Sequence, residues 1–506
     1  MSVTPLPRLT NGQPLRRSAV PCLEFGDFRT ALLGEVNRGG RISAFFGQPD
    51  GEGVLLYGVV KNRATGLLHM LATRVGDRYP SLTPSCAQVH WFEREIAEQW
   101  GVVPEGHPWL KPIRFHTSYR PGHDAWDRPP NAAILPCVTD YYRVEGAEVH
   151  EVAVGPVHAG IIEPGHFRFQ CHGEDVFHLE ISLGYQHRGI ERRLIGGPDK
   201  RSLHYMETLA GDTTVGHATA YSQAIEGLAR AQPSMRAQVV RGIALELERL
   251  ANHTGDLGAL AGDVGFLPTQ AYCGRLRGDF LNATAEICGN RFGRSLVRLG
   301  GVGFAIEAER ARALRAKIAD ALRDTANAAD LLWQTPSVMA RFEETGAVSQ
   351  KAAEELGLVG PAARACGLDV DVRRDFPSGV WRFVQVPVST CPTGDVFARS
   401  YVRAMEIQRS GEFVLKQLEN LPSGKERVAV GDLMPDAVVV SLVEGWRGEI
   451  CHVALTDERG RFAGYKVVDP SFHNWFGLAL ALRGQQISDF PLCNKSFNLS
   501  YCGHDL

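Results

Sequence analysis

Between residues 202 and 330 apolar side chains recur every three to four positions, in four runs at 202–231, 234–263, 269–295 and 304–330. That period places them on one stripe of a helix. The clearest run is MRAQVVRGIALELERLANHTGDLGALAGDVGF, beginning at Met235. A helix with such a stripe must bury it against neighbours, so four in succession predict a helical bundle at the centre of the chain.

The flanks read differently. Residues 1–20 are rich in Pro, Gly and Arg and are expected to be a loose terminus. Residues 21–115 alternate apolar and polar positions in RISAFFG, GVLLYGVV and LLHMLATRV, which predicts the strands of a small α+β domain. Within it, 92–100 reads as an amphipathic helix with its charges on one face, followed by a Gly-His-Pro turn. Residues 116–150 are dense in Pro, Gly and Asp and are the linker candidate. A β-hairpin is expected over 152–183. DAVVVSLVEG, ICHVALTD and GYKVVDP within 430–475 predict a second small sheet. The expected class is α+β: a small N-terminal domain, then a mainly helical domain over 151–506 with peripheral sheets.

At 506 residues, two to four domains are expected. A net charge of -3 leaves no electrostatic footprint for nucleic acid. No stretch of 18 apolar residues is present, and the first twenty residues have no signal-peptide core, so a cytoplasmic chain is expected, meeting a membrane only through partners. The 11 cysteines are scattered, with no CxxC pair, and are expected to be mostly buried. Cys171, His172, His178, His166 and His158 gather soft ligands near the hairpin, but their spacing matches no standard metal site and alternate strand residues point apart.

Several separate blocks carry a resemblance. Glu93, Arg94, Glu95, Gly106, His107 and Pro108 match the signature of the 30 kDa subunit of respiratory complex I. HRGIE (187–191), ERLANH (248–253), GNRFGRSLVRLGGV (289–302), PTGDVFARSYVRAMEIQRS (392–410), EGWRGE (444–449), KVVDPSFHNW (466–475) and DFPLCNKSFNLSYCGHDL (489–506) follow the order of the 49 kDa subunit and its hydrogenase relatives. The chain therefore resembles a fused 30 kDa/49 kDa subunit, like the large subunit of hydrogenase-4 and formate hydrogenlyase in the group 4 [NiFe]-hydrogenase family. The resemblance implies an α+β domain over 21–115 joined to a hydrogenase-like helical domain over 151–506.

The family's metal ligands are two CxxC pairs. Anchoring on HATAY (217–221) places Ala210 and Thr213 at the first pair; the C-terminus places Ser500 and Gly503 at the second, with Cys502 one residue out of register. The resemblance thus implies a chain without the Ni–Fe centre, since that centre needs thiolates. It also implies no cleaved extension after Leu506.

For the chemistry that remains, the resemblance supplies candidates. In complex I the corresponding pocket binds a quinone headgroup between a hairpin histidine and a tyrosine. His158 or His166 would be the histidine and a proton donor; the tyrosine position falls on Gly211. Glu191 matches the glutamate that starts proton transfer in hydrogenases, and His217 lies beside the first ligand pair. Arg188 matches an arginine facing the neighbouring [4Fe–4S] cluster, with an ion pair to Glu191 or another acid as the alternative. A histidine that tunes that cluster falls on Leu260. Asp395, Arg399, Arg403 and Glu406 share one helical face, read either as a charge path or as a solvated or interface salt-bridge face.

The implied function is a nickel-free large subunit that passes electrons from a partner small subunit carrying [4Fe–4S], like the complex I 20 kDa subunit, to quinone or another acceptor, coupled to ion translocation. Implied partners also include a ferredoxin-like subunit and antiporter-like and quinone-site membrane subunits, with the chain peripheral on the cytoplasmic face. The chain itself is expected to bind no cluster, and NAD would act on a distant partner, because no GxGxxG follows a strand. The alternatives are a redox-inert scaffold bridging a redox partner to an antiporter-like module and, against the ligand count, an active hydrogenase.

Overall fold

The computed structural model describes residues 7–129, 131–158, 160 and 162–506. Three of the four predicted runs form a bundle, and its fourth member comes from later in the chain: helices Met235–Asp263, Leu267–Cys288, Ala308–Trp333 and Val396–Glu419 pack around one another, whereas 202–231 is split into Ser202–Glu207 and Thr214–Leu228, the latter packed on strand Ala437–Gly445. Their ends follow local chemistry. The Ser234 side chain accepts from the Ala237 amide, satisfying one of the free donors of a helix start. Gly289 closes Leu267–Cys288 at φ 75°, where a side chain would be strained.

The first small domain is a four-stranded sheet in the order Cys22–Leu23, Leu67–Val75, Gly53–Asn62, Arg41–Asp50. Helix Phe25–Asn37 covers it, and helix His90–Trp100 packs on its edge strand. The second sheet joins Ala437–Gly445, Gly448–Thr456 and Phe462–Val468, whose apolar runs are buried on both faces. The expected hairpin is a three-stranded sheet, Val149–Val154, His166–His172 and Asp175–Ser182.

Two expectations are corrected. The N-terminus is not loose from residue 7 onward: Pro14–Arg16 pairs with Ala437–Gly445 as the edge of the second sheet. Asn11 anchors it, donating to the carbonyls of Phe376 and Leu442 and accepting from the Leu442 amide and Gln223. Nor do the charges of 92–100 face water. Glu93 accepts from the Leu82 and Thr83 amides and the hydroxyls of Ser81 and Thr83, Arg94 donates to the carbonyls of Lys111 and Pro112, and Glu98 accepts from three successive amides at Ile113–Phe115. Glu95 pairs with Arg114 and Lys466, tying the first domain to the second sheet. These groups satisfy irregular backbone that no ladder serves.

Candidate functional site

The four ligand positions come together because Arg447 ties their two segments. From the turn between Ala437–Gly445 and Gly448–Thr456, it donates to Asp212 Oδ1 (2.5 Å) and Oδ2 (2.8 Å), to Thr213 Oγ1 (3.2 Å) and to the Asn498 carbonyl (2.5 Å). Ser500 caps the last helix, Tyr501–Asp505, accepting from the Gly503 amide at 3.0 Å. Ala210 and Gly503 have no side-chain donor atom, and the two hydroxyls are already engaged. A Cβ on Gly503 would lie 2.7 Å from the Asp469 carboxylate. Burial pushes the Cys502 thiol up to about 12, and it lies 3.5 Å from Ser500 Oγ. This donor set does not fit a soft metal that requires thiolates.

Asp469 occupies that space by design of its surroundings. Its carboxylate accepts from the Ser471 amide at 2.8 Å and lies 3.0 Å from His217 Nε2. His217 Nδ1 is 3.1 Å from His452 Nε2, and His452 Nδ1 is 2.8 Å from the Tyr465 hydroxyl. The four side chains form one hydrogen-bonded chain from Tyr465 to Asp469, in which His217 Nε2 donates to the carboxylate. Burial drives the His452 pKa well down, so its ring is neutral. Burial alone would raise Asp469; the His217 contact and Arg447 outweigh it and keep the carboxylate ionised.

Glu248, in ERLANH, has no cationic partner. It accepts from the Val215 (2.7 Å) and Gly216 (3.2 Å) amides at the start of helix Thr214–Leu228. Burial, with a contribution from Asp212, lifts it to about 8 against the pull of those amides.

The candidates read from sequence are dispersed around this centre. His217 lies in it. Glu191 is on the other side of strand Phe462–Val468: it accepts from Lys466 Nζ (3.0 Å), the Val467 amide (2.8 Å) and Gln99 (3.2 Å). His158 contacts the Gly165 carbonyl at 2.9 Å, and His166 lies between the Gly155 carbonyl and Arg168. Their loop is latched to the C-terminus, where Glu163 accepts from the Tyr501 and Cys502 amides and a Cβ on Gly165 would meet the Tyr501 ring at 2.5 Å. Arg188 makes no ion pair with Glu191; it donates to the Thr208 and Leu209 carbonyls and keeps an exposed side chain. Leu260 is fully buried in the core. Gly211 is exposed on the loop that joins Ala210 to Thr213. Cys171 is buried while His172 pairs with Glu148 at the surface, so that soft-ligand set is split across faces. Among the described residues no group of three or more His, Cys, Asp or Glu is placed to hold a metal ion.

Asp395, Arg399, Arg403 and Glu406 share a face, and that face is buried rather than solvated. Asp395 is not in the helix but caps it, accepting from Ala398 (2.8 Å). Arg399 has no carboxylate within ion-pair reach among the described residues; it donates to Ser496 (2.8 Å) and the carbonyls of Gly394 (2.6 Å) and Gly346 (3.1 Å), and burial brings it down to about 10. Arg403 pairs with Asp256 (2.9 Å), and Glu406 with Arg364, Arg249 and His253.

Sequence reading missed Arg447, Asp212, Asp469, His452 and Tyr465. Arg447 and Asp469 sit in the recognised blocks EGWRGE and KVVDPSFHNW, which was a usable signal. His452 and Tyr465 lie in strands whose pattern shows only burial.

Residues 53–129 match the family described as respiratory-chain NADH dehydrogenase, 30 Kd subunit, and residues 263–435 match its 49 Kd subunit. The chain thus carries a 30 Kd-type and a 49 Kd-type segment in one polypeptide, and its relatives include formate hydrogenlyase and hydrogenase subunits. Formate hydrogenlyase subunit 5 of Escherichia coli (strain K12) is 26% identical over 84% of this chain and 76% of its own length. The membrane-bound hydrogenase subunit alpha of Pyrococcus furiosus is 28% identical over 69% of this chain and 85% of its own. A chain of the membrane-bound sulfane sulfur reductase, an archaeal respiratory membrane complex, shares the fold with a TM-score of 0.66 and 22% identity, over 72% of this chain and all of the other.

Proposed function

We propose that the chain is a nickel-free large subunit of a complex I-like or hydrogenase-4-like membrane complex, peripheral on its cytoplasmic face. It would take electrons from a [4Fe–4S] small subunit and deliver them to quinone or another acceptor, coupled to ion translocation by antiporter-like subunits. The observation that carries the nickel-free reading is the Asp469 carboxylate, which lies 2.7 Å from where a Cβ on Gly503 would stand. Two supports carry the membrane setting: the relatives named above are hydrogenase and respiratory-complex subunits, and among the described residues no helix is long and apolar enough to cross a membrane, so attachment falls to partners. The exposed Arg188 and Gly211, on the loop beside the ligand positions, suit a facing redox subunit.

A redox-inert scaffold is the second reading. The latch between Glu163, Gly165 and Tyr501 favours it, because it ties down the loop that carries His158. The purified complex is tested by metal analysis and by anaerobic reduction of a soluble quinone analogue. No nickel, with turnover lost in His158→Ala or His166→Ala, is the expected result. No turnover in the wild type establishes the scaffold instead, and stoichiometric nickel overturns both.

A further inference from the structure

The bundle encloses a second polar centre, away from the ligand positions. It is built from Glu246, Arg249 and His253 of helix Met235–Asp263, Arg364, the pair Asp371 and Arg373, Glu406 and the strand residue Glu444. Each is at most 5% exposed. Arg364 serves three carboxylates: Glu406 (2.8 Å), Glu444 (2.8 Å) and Asp371 (3.6 Å). The three are compensated unequally. Asp371 also has Arg373 at 2.6 Å. Glu406 also has Arg249 (3.3 Å) and His253 (2.9 Å). Among the described residues Glu444 has only its share of Arg364 and the Val372 amide at 3.0 Å, because Arg249 reaches its backbone carbonyl and not its carboxylate. Directly across the hairpin, Glu444 pairs in register with Glu449, so two acids stand on one face. Glu449 takes both cations there, Arg41 and Lys61, for itself.

Glu444, though buried, lines two clefts. One, of about 810 Å³, runs between the two domains and is lined by Arg41, Lys61, Asp371, Glu444 and Glu449. The other, of about 340 Å³, is lined by Arg373, Glu444 and Trp381 and opens beside Phe383, which is 70% exposed. Unfilled hydrogen-bonding capacity remains inside the centre: Glu246 Oε1 and His253 Nδ1, in fully buried side chains, have no partner among the described residues. Buried polar atoms are rarely left so, and each is an acceptor with room for a proton.

We infer that Glu444 is a proton-binding site, loaded from solvent through the clefts that it lines. The under-compensated position, the facing Glu449 and burial all act in one direction. Burial, then Asp371, raises the Glu444 pKa, and Arg364 and Arg249 oppose them. Protonation leaves Arg364 to Glu406 and Asp371, so occupancy at the cleft changes the charge felt at Glu406 and His253 on two bundle helices. The proposed ion coupling would gain an entry point in this subunit, but the proton site stands on its own geometry and is tested without turnover.

The test is the infrared spectrum, as a function of pH in H2O and D2O, of the full chain carrying Glu248→Gln, which removes the other glutamate that burial lifts. A protonated glutamic acid carbonyl band is expected well above the pH at which free glutamate titrates, near 4.3. It should shift within the mixing time on transfer to D2O, and Glu444→Gln should remove it. A band that persists in Glu444→Gln overturns the assignment, and a band that resists D2O for hours overturns entry through the clefts. Should Glu444→Gln fail to fold, the Glu248→Gln chain labelled with 13C-glutamate decides. A shifted band supports the site; no band, or an unshifted one, overturns it.

Discussion

The two buried polar centres of this chain solve one problem in opposite ways. Around Arg364, charge is held by charge: four carboxylates and three guanidinium groups from five elements pair inside the bundle. At the ligand positions, charge stands where the family resemblance puts a metal. Arg447 bridges the loop at Asp212–Thr213 to the C-terminal segment at Asn498, and Asp469, steered by His217, fills the space beside Gly503. The first centre belongs to the frame and gains nothing from a metal. The second shows how a frame of this family closes without thiolates: one guanidinium spans the gap, and a carboxylate takes the room.

The comparison can be broken most severely at its first member. Arg364→Ala leaves Glu406 and Glu444 short of their shared cation inside the bundle, and removing one partner of a buried ion pair costs about 3–5 kcal/mol. Chemical unfolding should show a loss in that range; a loss near zero would mean that the network is wet and its charges screened. The second centre is probed by Gly503→Cys, alone and with Ala210→Cys, Thr213→Cys and Ser500→Cys. The new Cβ meets the Asp469 carboxylate, so each protein should lose about 1–3 kcal/mol as an overpacked interior does, and metal analysis should find no nickel retained. Nickel retention by the quadruple variant would show that Asp469 yields readily. Asp395→Ala removes the cap of Val396–Glu419 and also the acceptor of the Glu344 amide, and should cost about 1–3 kcal/mol. Thermal unfolding measures it against Arg364→Ala on the neighbouring network.

A pH dependence is expected as well. Glu248 is held near 8 in the fold, above the roughly 4.3 of a free glutamate. The folded state therefore keeps a proton that the unfolded chain has lost, and this contribution is full below the free value and disappears as pH rises through about 8. Glu248→Gln should flatten that decline in unfolding curves between pH 5 and 9. Asp469 acts in the other direction and window: its lowered pKa makes its contribution disappear only as pH falls below the ordinary aspartate range.

Legibility in the sequence followed the range of the interaction. The bundle helices were readable because a 3.6-residue period and a capping residue are properties of neighbours in the chain. The strands at 437–468 were readable from apolar runs. Charge was misread wherever its partner is distant. Glu93, Arg94 and Glu95 look like the wet face of a helix, yet they serve Leu82, Lys111, Arg114 and Lys466. Residues 7–20 look like a loose tail because Asn11 finds its partners at Phe376 and Leu442.

The sequence by itself therefore determined most of the elements, the likeness to the two complex I-type subunits and the absence of any CxxC pair. Tertiary structure alone decided what stands at the ligand positions and which carboxylate is left short of a cation. The reason is that a charge is priced by whatever surrounds it after folding, and those surroundings come from segments hundreds of residues apart.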